Sequence, residues 1–168
     1  MAKKKGISKD LKMVLTVLVF ALAIGAFCMM FVPAVTLSVT VLGQKLTTTV
    51  PGLHAVFGHT ETGSSVLGSY SVETYKFCFG ALIGYALALV AALASILAYK
   101  SKGKLLYYIV ALVLIASGVL IFCEGTFVAS VNEIKDPIVV SLAAGPIVGG
   151  ILSIVGGLVS GATGYLAK

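Results

Sequence analysis

Four long apolar runs, none of them holding a charged residue, constrain this chain more than anything else in it. They extend from Met13 to Phe31, from Phe77 to Tyr99, from Leu105 to Cys123, and through the uncharged stretch from Pro137 to Ala167. Hydrocarbon offers no water to unpaired backbone N–H and C=O groups, so such runs must be helices. About 20 residues are needed to cross a layer of ~30 Å. The reading is therefore an all-α transmembrane four-helix bundle in one integral membrane domain, residues 1–168, with helices at about 13–32, 77–99, 105–124 and 146–167. Pro33 closes the first run. Pro146 is a natural start for the fourth, because proline's missing N–H would be unpaired in a first turn anyway. The first run is longer than the apolar core of a signal peptide and predicts an uncleaved signal anchor.

Composition agrees. Hydrophobic residues make up 59% and charged residues 11%, against roughly 25% charged in soluble domains. A soluble fold and a disordered chain are both excluded. The net charge of +6 does not point to nucleic acid, because no basic stripe alternates with aromatics. All the basic residues are lysines, which removes the planar fork that arginine offers to phosphate and carboxylate.

Lysine placement orients the chain. Lys3, Lys4, Lys5, Lys9 and Lys12 precede the first run, Lys100, Lys102 and Lys104 fill the link between the second and third, and Lys168 follows the fourth. With Asp10 this side carries +8. The other side, with Lys45, Lys76 and Lys135 against Glu61, Glu73, Glu124, Glu133 and Asp136, carries −2. The positive-inside rule then predicts a multi-pass protein of the cell membrane with N- and C-termini cytoplasmic. Tyr99, Tyr107, Tyr108 and Tyr165 fall at inner helix ends and Tyr75 at an outer one, as in an interfacial aromatic belt.

The first outer loop, residues 34–76, is long enough to fold. Val35, Leu37, Val39 and Val41 alternate with polar residues, and the alternation resumes after Leu42-Gly43-Gln44 at Leu46, Thr48 and Val50. That pattern predicts an extracellular β-hairpin. Gly52 to Gly58 predicts a helical turn on the bilayer surface or on the hairpin. His59 to Ser71, rich in Gly, Ser and Thr, predicts a mobile segment. The second outer loop, near 125–145, shows only an apolar stretch at Phe127 to Val131 and a charged tip at Glu133 to Asp136.

Small residues are the strongest local motif. Gly145, Gly149, Ser153, Gly157 and Gly161 recur every four residues, and Gly80 and Gly84 begin a similar ridge in the second run. Lipid supplies no hydrophobic drive for helix association, so helices meet by close backbone approach. These seven are the predicted packing residues. The alternative role for the glycine-rich fourth helix is a pore lining or homo-oligomer seam. Tyr85 and Ser117 sit at similar depth, and the Tyr85 hydroxyl is expected to face the interior and bond to a serine or a backbone carbonyl. Glu124 reads as an interfacial carboxylate near Lys76.

No other chemistry stands out. Cys28, Cys78 and Cys123, with His54 and His59, lack the spacing of a metal site, and no cofactor is implied. No GxSxG, HExxH or paired-carboxylate pattern occurs, so an enzyme is not expected. The expected role is structural or interaction-based, with the outer loop contacting a partner protein or envelope component. The alternative is a small transporter or channel component. Uncharged spans weigh against an ion-coupled transporter.

The segment Phe27 to Pro33 at the end of the first run, the lysine-rich start, and the segment Gly52 to Gly58 resemble uncharacterised small four-helix membrane proteins of low-GC Gram-positive bacteria. The resemblance covers the whole layout and implies no activity. The order of four helices, a β-rich first loop and a shorter second loop is also claudin-like by analogy. The tryptophan and cysteine pair of that family's first loop are absent, since the chain has no Trp and no Cys between Pro33 and Tyr75.

Overall fold

The computed structural model describes residues 8–65, 68–101, 103–135 and 137–167. Lys3, Lys4, Lys5, Lys102, Asp136 and Lys168, which enter the charge asymmetry, lie outside the described residues.

The first long helix, α1 (Lys9–Cys28), starts at Ser8, whose side-chain oxygen accepts the Leu11 N–H at 3.2 Å. Asp10 lies in the first turn, where the helix dipole favours an anion. A 3-10 turn, Met29–Phe31, extends α1 to Val32. There the chain becomes extended, as the residue before a proline prefers. Two strands follow, β1 (Pro33–Val41) and β2 (Gln44–Pro51), then the short helix α2 (Gly52–Phe57) and two more strands, β3 (His59–Ser65) and β4 (Gly68–Tyr75). The remaining elements are α3 (Phe79–Lys100), α4 (Leu105–Phe122), α5 (Glu124–Val131), β5 (Val139–Leu142) and α6 (Ala144–Leu166).

Among the described residues, four helices of 18 to 23 residues are long and apolar enough to cross a membrane. They pack side by side, α1 against α3 and α6, and α4 against the same two. Their outward faces carry apolar side chains such as Val17, Val90, Leu112 and Leu158. Both sheets lie at one end of the helices. The start of α1 and the link from α3 to α4 lie at the other, where the Lys12 ammonium donates to the carbonyls of Tyr99 and Ser101 at 3.4 and 3.3 Å.

The expected hairpin is present, with Val35 opposite Val50, Leu37 opposite Thr48 and Val39 opposite Leu46. Three features differ from the sequence reading. The sheet has three strands in the order β2-β1-β5, because β5 from the second loop pairs with β1, Val35 opposite Leu142 and Leu37 opposite Val140. The segment expected to be mobile forms a second hairpin, β3 antiparallel to β4. The third spanning helix ends at Phe122, and α5 follows it after a pivot at Cys123. Tyr107 is also not a belt residue. It is buried, with its hydroxyl 3.3 Å from that of Thr16.

The seam between α4 and α6 is built from close approaches at regular intervals. Ser153 and Ser160 donate to the carbonyls of Leu114 and Tyr107, each at 2.8 Å. Two glycines beside them, Gly150 and Gly157, leave no room for a side chain. A Cβ on Gly150 would lie 2.7 Å from the Phe122 ring, and one on Gly157 would lie 2.9 Å from the Ala111 carbonyl oxygen. The small residues of the four-residue repeat do not all meet one neighbour. Gly145 and Gly149 abut the end of α1, where their Cβ atoms would meet Pro33 O at 2.8 Å and Met29 Cβ at 3.1 Å. The reason is helical pitch. At 3.6 residues per turn a four-residue repeat precesses by about 40° per step, so a long ridge turns from one neighbour to the next.

A pair of substitutions separates close approach from mere spacing. The Gly157→Ala change drives a methyl into backbone and should cost about 1–3 kcal/mol. A Cβ on Gly161 would sit 3.7 Å from Ala111 Cβ, an ordinary contact. Thermal unfolding in detergent should show Gly157→Ala melting lower and Gly161→Ala unchanged or higher. Equal shifts would remove close backbone approach as the basis of the seam.

Candidate functional site

The turn at Cys123 aims the first side chain of α5 inward. Glu124 is 0% exposed and reaches Tyr85, a member of the apolar cluster that includes Cys78, Ala81, Ile121 and Val128. Its one partner comes from α3. Tyr85, also 0% exposed, donates its hydroxyl to Glu124 Oε2 at 2.7 Å. Among the described residues Oε1 has no hydrogen-bond partner. An ionised carboxylate with one hydrogen bond is costly in apolar surroundings. Burial therefore pushes the Glu124 carboxyl up to about 7, against the opposing pull of the Tyr85 hydrogen bond. The Glu124 carboxyl thus holds its proton to higher pH than an exposed carboxyl does. Burial also pushes the neighbouring Cys78 thiol up, which keeps it unreactive.

Tyr85 faces inward as the sequence suggests, but its partner is a carboxylate and not a serine or a carbonyl. Ser117 donates instead to the Gly84 carbonyl at 2.7 Å. Glu124 is buried, and its partner is Tyr85 rather than Lys76. Lys76 pairs with Glu133 at 3.7 Å on the exposed surface. A signal for the Tyr85–Glu124 pair did exist in the sequence. Both residues lie toward the sheet end of adjacent spans, and hydrocarbon obliges each polar group to find a partner.

Of the other residues singled out, Gly84 lies against α4, where a Cβ would sit 3.2 Å from Ile121 Cγ1. Gly80 lies under α5, 2.9 Å from the Phe127 ring by the same measure. Cys28 is exposed, Cys78 buried and Cys123 half-buried, and all three are free thiols. The His54 and His59 rings stack at 4.0 Å, which ties α2 to the start of β3. No group of three His, Cys, Asp or Glu side chains suited to a metal ion forms among the described residues.

The second feature is the free part of the three-stranded sheet. Val35 and Val50 are buried at the helix ends. Farther along the strands the apolar face runs past that core into an open groove lined by Leu37, Ser38, Val39, Leu46, Thr48, Tyr75 and Ile138. At the hairpin tip Leu42 is fully exposed and has φ +51°, followed by Gly43 at φ +81°. The two-residue turn between Val41 and Gln44 needs positive φ at both positions. Glycine supplies it freely, whereas leucine in that region costs about 1–2 kcal/mol.

Stability should record the Glu124 proton. Because the folded carboxyl titrates near 7 rather than at the ordinary 4.5, the folded state holds the proton more tightly than the unfolded chain. Its contribution is full below pH 4.5, declines as pH rises from 4.5 to about 7, and is flat above. Melting of the wild type against Glu124→Gln over this range should show the decline only in the wild type. Parallel profiles would mean that Glu124 does not titrate there.

A family model described as glia associated membrane protein glam-1 matches residues 4–100, which include α1, the hairpins and α3. A comparison with curated proteins gives no match. The family description names neither low-GC Gram-positive bacteria nor claudins. The match takes in more than half of the chain and two of its four membrane-length helices, so the chain is an integral membrane protein and belongs to the family of glia-associated membrane proteins typified by glam-1.

Proposed function

We propose that this chain is a structural or interaction protein of the cell membrane, without enzymatic activity. Both termini are cytoplasmic, and the sheet end is outside and contacts a partner protein or an envelope component. The observation that carries this reading is the hairpin tip. A strained, fully exposed leucine has no use in the fold of the hairpin itself, since asparagine or glycine would make the same turn at lower cost. The adjoining apolar groove supports the same reading, because it lies on a sheet held firmly to the helices. The polar groups between the helices support an interaction role over transport. Ser117, Ser153 and Ser160 each spend their hydroxyl on a neighbouring helix's carbonyl.

The tip can be tested without disturbing the fold. Leu42→Asn keeps the turn and should melt at or above the wild-type temperature. A photo-crosslinking residue at Thr48 should give one discrete protein adduct in intact cells, and Leu42→Asn should reduce it severalfold. An adduct insensitive to Leu42→Asn, or no adduct from position 48, would sink the interaction reading. Sidedness has its own measurement. In a Cys28→Ser background, an impermeant maleimide on intact cells should label Thr47→Cys and not Gly103→Cys. The reverse pattern would invert the topology.

A further inference from the structure

The short helix α2 presents two faces of opposite character. Gly52, Ala55 and Val56 are buried, while Leu53 and Phe57, four residues apart and so on one stripe, are 38% and 50% exposed. Backbone hydrogen bonds fix the level of α2 along the helix axes. Gly52 N–H donates to Val32 O at 3.2 Å, and Cys78 N–H donates to Val56 O at 2.9 Å. Val32 immediately follows the first membrane-length segment, which ends at Phe31, and Cys78 immediately precedes the next, which begins at Phe79. A Cβ on Gly52 would lie 2.3 Å from Met30 O, so α2 is pressed onto the end of the first span with no space between.

The exposed side of α2 is continuous with the apolar surface of the spans. Phe57 packs on Phe77 with ring centroids 6.5 Å apart, and Phe77 on Phe79 at 6.4 Å. Phe77 is 47% and Phe79 64% exposed. Phe79 is the first residue of a spanning helix, so the row begins in the lipid-facing surface and runs without a break onto α2. The helix has no Lys, Arg, Asp or Glu, and its His54 ring stacks on that of His59. Lys76, next to Phe77 in sequence, is exposed and pairs with Glu133 at 3.7 Å.

We infer that α2 and the row Phe57, Phe77 and Phe79 are embedded in the acyl-chain boundary of the leaflet at the sheet end. The partner of this surface is the lipid bilayer itself, and α2 is an in-plane membrane helix within the first loop. A continuous row of apolar side chains at this level is more stable where water is excluded, and the acyl boundary provides that to an interfacial helix. One side of the β-domain is thereby held at the membrane surface, and the hairpin tip with Leu42 projects away from it.

The chain has no tryptophan, so Phe57→Trp, Phe77→Trp, Phe79→Trp and Leu42→Trp each introduce a single reporter. The full chain is reconstituted in phosphatidylcholine vesicles with or without lipid brominated on the upper acyl chain. Tryptophan at 57 and at 77 should emit to the blue and lose most of its intensity in brominated vesicles, as at 79. Tryptophan at 42 should emit to the red and be insensitive to bromine. Red, bromine-insensitive emission at both 57 and 77 would place the row in water and overturn the inference. Blue emission at both that bromine does not quench would mean that a second copy or another part of the protein covers the row, and would overturn it equally. Either position reads the result if the other variant fails to fold.

Discussion

Helices in hydrocarbon gain little from hiding apolar side chains from one another, because lipid is as apolar as they are. What holds them is contact at close range, and the rest of this structure depends on how α6 obtains it. Its glycines bring backbone against backbone, at Gly145 on the carbonyls that end the first span and at Gly157 on the Ala111 carbonyl. Alongside these approaches Ser153 and Ser160 donate to carbonyls on α4. Those carbonyls already accept within their own helix, and a carbonyl's second lone pair makes the extra bond possible. Each such bond is worth well under 2 kcal/mol in a membrane. Dispersion over the whole seam therefore matters more than any one of them.

The same close approach mounts the β-domain. Gly145 opens α6 against Pro33, the first residue of β1, and Ala143 N–H donates to Ala34 O at 2.8 Å. Gly52 presses α2 against Met30 and Val32. With β5 paired to β1, the second loop is bonded to the first, and both loops are bonded to the helix ends. Glu124 sits beneath this junction. Its proton thus lies where α3, α4 and the β-domain meet, which is why its titration should be visible in the stability of the whole protein.

Much of the architecture was legible in the sequence because hydrocarbon imposes coarse rules. Spans are long and uncharged, and the hairpin from Val35 to Val50 alternates with period two. What stayed hidden was non-local or local in the wrong way. The four residues of β5, VVSL, carry no alternation long enough to read, and only pairing with a strand about a hundred positions earlier makes them a strand. The β3–β4 segment has the composition of a flexible loop, and its pairing overrides that preference. The glycine ridge was visible as spacing, but the neighbour each glycine meets depends on rotation along the helix. Tyr107 stands where a belt tyrosine would, and packing against α1 and α6 buries it. Glu124 was misplaced because a carboxylate beside a span is usually exposed, and nothing local announces the pivot at Cys123 that turns it inward.

The two ends of the helices satisfy their backbone groups by different means, and this sets how each end can behave. At the lysine end, the carbonyls that close α3 have no strand to accept from. The Lys12 ammonium takes their place, donating to Tyr99 and Ser101 and lying 5.8 and 5.4 Å from the Tyr99 and Tyr107 ring centroids. A cation suits the negative end of the helix dipole, and a lysine can do this only where its stem runs along apolar surface with its charge near water. At the sheet end the work is done by backbone pairing, which is directional and fixed by register. A charge on a flexible stem tolerates small movements of the helix ends, whereas a strand ladder does not. Rigidity is therefore concentrated at the end that carries the hairpin, the groove and the buried carboxyl, so a contact made there reaches the helices through bonded backbone.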